Sequence, residues 1–522
     1  MRGAMTPVDA PVEREPLLAG QQPSLVPWIV RVGVWVGALT SLASSCLLAI
    51  VHFDDIYLVN QVSGAWMGLA MYANDGVLYP PLFNGESFGG TRHMPLQFVL
   101  HAGFAQIFGD YLQAGKALSL AVTAGLALAL WGVFRQLLAP AWLTIGLVAC
   151  VLVSQVGQLG SLSIRGHALP VALQVAALAL VARRPDRRSV VLAGLLCALA
   201  LLTKLTAVWG ILACLVWLWP SRRALAVTLV AVYGVAFVVG LASIELLSDG
   251  RFSENLFGLS ASAFEEPLPA LAAGALRKLV SLSETSADAT WLLAPIAATG
   301  VLVALRRRSV SVYHIALVTA VVLTAIVMAD IGAGDSHLLD VHVLIAVVVA
   351  QAWRDHVREG APERAAFVAP LVAVTIIVAI GGSYATQMAE KTRDAALVAL
   401  GRETNRFAVD DLDAHVPPGA VVLSEDATVP VILGQLPVVL DPFMLIRIGR
   451  AHPEWVDSLV QRLDRKEFDR VVLFNRPGFA LDGSNSFWRE LHFGPGVIEA
   501  IARNYRPAHV VSGYEIRVRR SG

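Results

Sequence analysis

Long apolar runs separated by short polar or charged loops make up most of this chain. A helix needs about 20 apolar residues to cross the hydrocarbon core of a bilayer comfortably, and several runs here are shorter. The pattern predicts about eleven transmembrane helices. They cover residues 28–51, 112–134, 141–159, 168–182, 189–203, 206–219, 224–245, 291–305, 311–329, 338–352 and 366–384.

The run 189–219 could form one long helix, but we predict a hairpin that turns at Thr203 and Lys204. A straight helix would place the arginine clusters 183–188 and 221–223 on opposite sides of the membrane. A hairpin keeps both on one side, as the positive-inside rule predicts.

Arginines and acids are segregated between alternate loops. The arginine loops contain Arg135, 183–188, Arg222, Arg223, 306–308 and 354–364; the acidic loops contain Asp54, Asp55, Asp75, Glu86, Asp110, Glu265, Glu266, Glu284, Asp288, Asp330, Asp335 and Asp340. This pattern predicts a multi-pass protein of the bacterial inner (plasma) membrane with Asp54 outside. We expect a disordered cytoplasmic tail at 1–27 and a transmembrane domain at 28–384.

The first outer loop, residues 52–111, contains two apolar stretches that we do not count as spans. Counting 94–109 would invert every later loop, so we expect an interfacial helix or an extension of the next span. The stretch 56–76 mixes aromatic and apolar residues, which predicts an interfacial amphipathic helix or, alternatively, a solvated loop.

Residues 385–522 are richer in charge and proline, and predict a small extracytoplasmic α/β domain. Short apolar runs at 420–424, 437–441 and 470–475 are typical of strands, and 426–434 and 454–466 of helices. Alternating strands and helices favour a partly parallel sheet. No glycine-rich phosphate motif follows a strand, so no nucleotide is expected. Asp441, at a strand end, is interpreted as a capping residue, with ligand contact as the alternative.

Composition agrees with a membrane protein. Hydrophobic residues make up 56% of the chain and charged residues only 15%, against about 25% charged in soluble domains. The net charge is zero, so nothing indicates a nucleic-acid partner.

Asp54 and Asp55 directly follow the first apolar run. Carboxylates at a membrane boundary are costly to desolvate, which makes an adjacent pair a candidate functional site. The long loop that follows favours a catalytic role over a mere boundary marker.

Five motifs resemble the GT-C superfamily of polyprenyl-phosphate-sugar-dependent glycosyltransferases. The nearest group is family 39, which includes protein mannosyltransferases and lipid A aminoarabinose transferases. The motifs are FDDIY (53–57), LYPPL (78–82), TRHMPLQF (91–98) with Phe108 and Gly109 behind it, LLTKLTAVWGIL (201–212) and GAGDSHLLDVHVLIAVV (332–348). The resemblance covers residues 28–384 and implies a helical GT-C-like membrane fold.

The resemblance also implies the chemistry. A sugar would pass, with inversion, from a polyprenyl-phosphate donor to a hydroxyl of a glycan, lipid or protein acceptor. The acceptor hydroxyl must lose a proton, so a carboxylate acts as general base. Similarity to the acidic pair of the family assigns this role to Asp54, and Asp55 would orient Asp54 or hold the acceptor.

Cations in outer loops run against the positive-inside pattern, and an anionic donor phosphate would explain them. The candidates are Arg92, His93, Arg165, His167, Lys204 and His337. We favour Arg165 and Lys204, the arginine for its bidentate fork. Snorkelling or pairing with an acid is the alternative for each one.

The sequence departs from the family where relatives carry an acid between the third and fourth spans, because here SIRGHALP places His167 at that position. Without that carboxylate we expect no catalytic metal and no cofactor. Asp330, Asp335 and Asp340 are the alternative oxygen ligands.

Two other functions fit parts of the pattern. A transporter or flippase of a lipid-linked sugar would explain the spans and the outer cations, but no internal repeat is present. A scaffold that binds cell-wall components would leave Asp54 and the first loop unexplained.

Overall fold

The computed structural model describes residues 26–260, 288–330, 333–358 and 362–521. The predicted tail at 1–27, apart from its last two residues, lies outside this part. So do the predicted loop acids Glu265, Glu266 and Glu284.

Every predicted apolar run forms a helix in the described part of the chain. The helices of the bundle are α1 (Trp28–Val51), α4 (Tyr111–Gln136), α5 (Ala141–Val153), α6 (Gln155–Leu162), α7 (Ala168–Arg183), α8 (Arg187–Thr203), α9 (Trp209–Leu218), α10 (Arg223–Leu247), α12 (Ala294–Arg307), α13 (Val312–Val327), α14 (Leu339–Trp353) and α15 (Pro362–Ser383). A short helix, α11 (Arg251–Ser260), follows α10, and 3-10 turns at Ala289–Leu293 and Asp335–Leu338 precede α12 and α14. Among the described residues, six helices are long and apolar enough to cross a membrane, or seven if the bent pair α5 and α6 counts as one span.

The predicted hairpin at Lys204 is present. α8 ends at Thr203, Lys204 caps it, and α9 begins five residues later at Trp209. At the far ends of these helices, Arg222 donates a hydrogen bond to the Pro185 carbonyl at 3.3 Å, so the two arginine clusters lie together.

The predicted span 141–159 is broken, because α5 and α6 meet at an angle of 77°. Ser154 makes the bend: its hydroxyl donates to the Val151 carbonyl at 2.6 Å and accepts from the Gly157 amide at 3.0 Å. Asp288 stabilises the new helix start by accepting from the Gln155 amide at 3.2 Å. The bend directs the chain after α6 towards the outer loops.

The first loop forms two helices, α2 (Gln61–Asn74) and α3 (Pro95–Phe108). α3 exposes Val99, Leu100, Ile107 and Phe108, as expected of a helix in the interface. The prediction for α2 was wrong: its residues from Ser63 to Ala70 are buried, between α3 and the C-terminal region. The mixed apolar pattern of α2 arises because it packs against protein on both sides.

The C-terminal region contains a four-stranded sheet in the order β1-β2-β4-β3. The strands are β1 (Val422–Ser424), β2 (Arg470–Phe474), β3 (Tyr505–Val511) and β4 (Tyr514–Arg519). β1 and β2 are parallel, and the other pairs are antiparallel. The helices around it are α16 (Ala389–Ala399), α17 (Asp410–Asp413), α18 (Thr428–Ile432), α19 (Pro442–Ala451), α20 (Pro453–Asp464), α21 (Ser486–Glu490) and α22 (Pro495–Asn504).

The predicted strand 437–441 is not part of this sheet. Its single bridge joins Val439 to Phe88 of the first loop, with the Phe88 amide donating to the Val438 carbonyl at 2.7 Å. The hairpin of β3 and β4 was missed. Asp441 caps α19 as interpreted, because its carboxylate accepts from the Phe443 amide at 2.9 Å.

The first loop and the C-terminal region share their cores. Ile56, Trp66 and Ile164 pack in one apolar cluster with Val429 and Ile516. Leu82 and Phe88 belong to a second cluster with Leu423 and Phe468. Arg462 of α20 also donates to the Glu86 carbonyl. These contacts fix the C-terminal region on the outer loops.

Asp426 lies at the contact between α2 and α18. A Cβ added to Gly64 would lie 2.3 Å from the Asp426 carboxylate, so only glycine fits at that position of α2. The carboxylate accepts from the Thr428 amide at 2.9 Å and from the Tyr514 hydroxyl at 2.7 Å. Burial raises the pKa of Asp426 to about 6, although these hydrogen bonds oppose the shift.

This raised pKa predicts a pH-dependent stability. The folded state favours the neutral carboxyl of Asp426. The contribution of this group to the free energy of unfolding is therefore fully present below the ordinary pKa of 3.8, and it is lost as the pH rises through about 6. We expect the stability of Asp426→Asn relative to the natural protein to rise by about 2.5 kcal/mol between pH 4 and pH 8. Unfolding in detergent at both pH values measures this difference. If the difference in unfolding free energy between the variant and the natural protein is the same at both pH values, the prediction is contradicted.

Candidate functional site

Asp55 is buried and fully engaged at the outer end of α1. One carboxylate oxygen accepts from His52 Nδ1 at 2.6 Å and from Asn405 Nδ2 at 2.8 Å. The other accepts from the Tyr57 amide at 2.8 Å and lies 3.4 Å from Lys116 Nζ. Burial opposes ionisation, but the bond from His52 and the charge of Lys116 lower the pKa of Asp55. Asp55 is therefore a charged anchor that joins α1, α4 and the segment after α16.

Asp54 differs from Asp55 in its exposure and in the contacts of its carboxylate. It is exposed, and its carboxylate has no hydrogen bond or ion pair among the residues that the structure describes. Lys116 donates to the backbone carbonyls of His52 and Asp55, which fixes the turn on both sides of Asp54. The result is a free carboxylate on a rigid backbone.

Four of the predicted cations converge from three separate loops at the outer end of the bundle. Lys204 Nζ donates to His167 Nδ1 at 3.1 Å, so the proton of the neutral imidazole is on Nε2. That nitrogen lies 3.0 Å from the hydroxyl of Ser336, which Arg165 also contacts at 3.3 Å. The ring of His337 lies 5.0 Å from that of His167. We call Arg165, His167, Lys204 and His337 the basic cluster.

His93 and Trp66 form a wall beside the basic cluster. Their rings stack with centroids 4.1 Å apart. A Cβ added to Gly166 would lie 2.7 Å from the Trp66 ring, so the loop between Arg165 and His167 lies directly on this wall. Burial, with the charge of Arg92, lowers the pKa of His93 to about 3, so this ring is neutral at pH 7.

Arg92 does not join the basic cluster. Its guanidinium donates to Asp330 at 2.7 Å and lies over the ring of Phe443 in the C-terminal region. Arg447 pairs with the other oxygen of Asp330 at 3.5 Å. Neighbouring side chains leave the backbone in different directions, so adjacent positions in the sequence can face different partners.

Burial lowers the pKa of several groups in the basic cluster. It holds the pKa of His167 well below its usual value, with help from the charge of Lys204, so the ring is neutral at pH 7. Burial also lowers the pKa of Arg165 to about 10, which leaves that side chain charged. The same cause lowers the pKa of Lys204, while Asp340 opposes the shift from 3.8 Å. Burial makes the charged forms of these side chains less favourable. A bound anion would offset part of this desolvation cost, because its negative charge would stabilise the buried cations.

A packed path connects the acidic pair to the basic cluster. Lys116, bound to Asp55, follows Gly115 in α4, and a Cβ on Gly115 would lie 2.7 Å from Ile164. Ile164 immediately precedes Arg165. Two adjacent residues of α4 thus contact both sites, which lie at the same end of the bundle.

The late-loop acids are separated in this arrangement. Asp330 binds Arg92, whereas Asp340 accepts from the Trp209 indole at 2.8 Å and faces Lys204. In the described part of the chain, no three His, Cys, Asp or Glu side chains are grouped so that they could hold a metal ion. The expectation of no catalytic metal, drawn from His167, remains a prediction.

We therefore expect EDTA to leave most of the transfer activity intact. Rates with EDTA and with added Mg²⁺, Mn²⁺ or Zn²⁺ should agree within about twofold. Complete loss with EDTA, restored by one of these ions, would demonstrate a metal site that includes the late-loop acids.

Three residues of this region were not predicted from the sequence. Lys116 lies one turn inside an apolar helix, and an ionisable side chain in a span is a signal that could have identified it. Ser336 and Trp66 carried no comparable signal, because a serine and a tryptophan are common at helix ends near a membrane surface.

Comparison with solved structures identifies the fold. ArnT from Cupriavidus metallidurans matches with a TM-score of 0.54 and 14% identity, over 92% of this chain and 97% of ArnT. The structure of ArnT bound to undecaprenyl phosphate matches with a TM-score of 0.53 and 13% identity, again over 92% of this chain and 97% of ArnT. The oligosaccharyltransferase of Archaeoglobus fulgidus gives 0.52 and 13%, over 93% of this chain and 74% of that enzyme.

No protein-family model matches the sequence, and no curated protein does. At 13–14% identity the structural likeness concerns the fold. The expected helical GT-C-like membrane fold, with a small C-terminal sheet, is confirmed.

Proposed function

We propose that this protein is a membrane glycosyltransferase that moves a sugar from a polyprenyl-phosphate donor to an acceptor hydroxyl. The observation that carries the proposal is the convergence of Arg165, His167, Lys204 and His337 from three loops. The fold gives independent support, since a protein with the same architecture binds undecaprenyl phosphate. The donor is a lipid, which suits a site at the outer end of the bundle.

The basic cluster would hold the donor phosphate. Arg165 and Lys204 supply two positive charges that are partly buried, where an ion pair is worth more than in water. The neutral His167 can donate from Nε2 to a phosphate oxygen if Ser336 moves aside. Among the other candidates, His93 would line the sugar side with Trp66, and Arg92 would act at the junction with the C-terminal region.

Asp54 would act as the general base, and Asp55 as its positioning residue. The acceptor oxygen attacks the anomeric carbon while its proton passes to the free Asp54 carboxylate. The bond from the anomeric carbon to the phosphate oxygen breaks, and its electron pair leaves with the phosphate. The basic cluster stabilises the charge that develops there. A single displacement of this kind inverts the anomeric configuration.

The proposal also requires the site to lie on the extracytoplasmic side. The arginine-rich helix ends lie opposite the acidic pair along the bundle, as the positive-inside rule requires. We expect an alkaline phosphatase fused after residue 401, where α16 has ended, to be active, and the same fusion after residue 308 to be inactive. If the phosphatase is active when fused after residue 308 and inactive when fused after residue 401, the acidic pair lies on the cytoplasmic side.

Purified protein with a labelled polyprenyl-phosphate sugar tests the activity directly. The proposal expects release of polyprenyl phosphate and transfer of the label to an acceptor in added membranes. A transporter would instead move intact donor across proteoliposomes without releasing polyprenyl phosphate. That result would overturn the enzymatic assignment.

A further inference from the structure

A cavity of about 780 Å³ lies between the late loop of the bundle and the C-terminal region. Ala329 and Asp330 line one side, and α19, α20 and the turn before α22 line the other. Its volume is in the usual range for ligand sites, which is about 300–1,000 Å³. The basic cluster is elsewhere, so the function proposed above does not use this space.

The cavity wall offers as many positive as negative side chains. Arg447 pairs with Asp330 at 3.5 Å and Arg489 with Glu490 at 2.6 Å, whereas Arg450 and Asp457 have no ion pair in the described part of the chain. Between them lie apolar surfaces, including Phe443, Val456, Val460 and Phe493. Charged donors and acceptors thus alternate with apolar patches around one opening.

This chemistry discriminates between ligand classes. The equal numbers of arginines and acids do not favour an anion such as a phosphate group, and an acyl chain would have to desolvate six charged groups. No strand of the described structure lines this cavity, so a peptide could not bind there by adding a strand to the sheet. A sugar ring has hydroxyls that both donate and accept hydrogen bonds, and C–H faces that suit apolar patches.

One ion pair links the cavity wall to the loop beside the basic cluster. Asp330, in the cavity wall, binds Arg92, which precedes His93 in the wall beside the basic cluster. Six residues after Asp330, the same loop supplies Ser336 to the basic cluster. The cavity wall is thus in contact with the residues that border the basic cluster.

We propose that this cavity binds the acceptor and that the acceptor is a hydroxyl-rich glycan chain. The inference rests on the glycosyltransferase function proposed above. It gives the C-terminal region a role, because α19, α20 and the start of α22 would select the glycan whose terminal hydroxyl is glycosylated.

The test uses the native acceptor pool, in a host strain whose own copy of the gene is deleted and replaced by each variant. Gly496→Trp fills the cavity at a position where a side chain has room. The double variant Arg450→Leu/Asp457→Leu removes two charges that have no ion pair in the described part of the chain. Val510→Trp adds the same bulk to an exposed position on β3 and is the control.

The sugar content of the envelope polymer, after protease digestion and solvent extraction, is compared between strains. Both cavity variants should lower the transferred sugar roughly tenfold or more, while unconsumed donor lipid accumulates and Val510→Trp stays at the natural level. Purified variants should keep their melting temperature and should still retain donor lipid in native mass spectrometry.

Three results would overturn the inference. If both cavity variants transfer as much sugar as the natural protein, the cavity does not bind the acceptor. Transferred sugar found in the protease-released fraction would make the acceptor a protein, and transferred sugar found in the solvent extract would make it a lipid. Failure of the natural protein to release polyprenyl phosphate is a separate result, which would reject the proposed function itself.

Discussion

Asp54→Asn should reduce sugar transfer by about 10²–10⁴-fold, the usual effect of removing a general base. The substitution keeps the size of the side chain and removes only its ability to take a proton. Because Asp54 is exposed and has no partner in the described structure, the protein should insert, fold and retain donor lipid normally. Single-turnover assays with labelled donor, beside melting temperature and lipid retention, separate chemistry from folding.

The matched control is Asp55→Asn, one residue away. It removes a buried charge that His52 and Lys116 surround, so we expect a lower melting temperature and a smaller loss of turnover. Normal turnover in Asp54→Asn with an inactive but folded Asp55→Asn would reverse the two assignments. Normal turnover in both would reject a catalytic role for the acidic pair.

Arg165→Gln should reduce turnover by about 10²–10³-fold, as expected when a group that stabilises developing negative charge is removed. The pKa of Arg165, near 10, leaves it charged at pH 7, and its Nε has no hydrogen-bond partner among the described residues. Arg165→Lys should recover only part of the activity, because an ammonium lacks the planar fork. Turnover and donor affinity are measured separately with labelled donor.

Arg92→Gln is the comparison for this experiment. The two arginines lie at the same end of the molecule, but Arg92 is bound to Asp330 outside the basic cluster. We expect its loss to change release of polyprenyl phosphate less than tenfold. Equal losses in both variants would mean that the phosphate site extends to Arg92 and that the boundary drawn here is wrong.

The bundle and much of the candidate site could be predicted from local patterns. Apolar runs locate the helices because each one must bury or shield its own backbone in lipid. The basic cluster was anticipated because Arg165 and Lys204 violate the charge rule that the other loops obey. Such signals are carried by single residues or short windows, so they do not depend on distant contacts.

Several of the failures involve partners that are remote in the sequence, although the missed hairpin of β3 and β4 is local. α2 was taken for an interfacial helix because its second apolar partner, α18, lies more than 350 residues later. The segment 437–441 has a strand-like composition, but its only bridge is to Phe88. The directions of Arg92 and His93 depend on Asp330 and Trp66, which no local pattern identifies.

The shared core between the first loop and the C-terminal region has a consequence for any attempt to divide the protein. Val429 and Ile516 pack against Ile56 and Trp66, so a fragment from about residue 400 onward would expose an apolar face to water. Such a fragment should aggregate when it is expressed alone. Chimeras with other transferases of this fold would have to exchange residues 52–111 together with the C-terminal region. Each of these parts buries apolar side chains against the other, and would expose them if it were paired with a different partner.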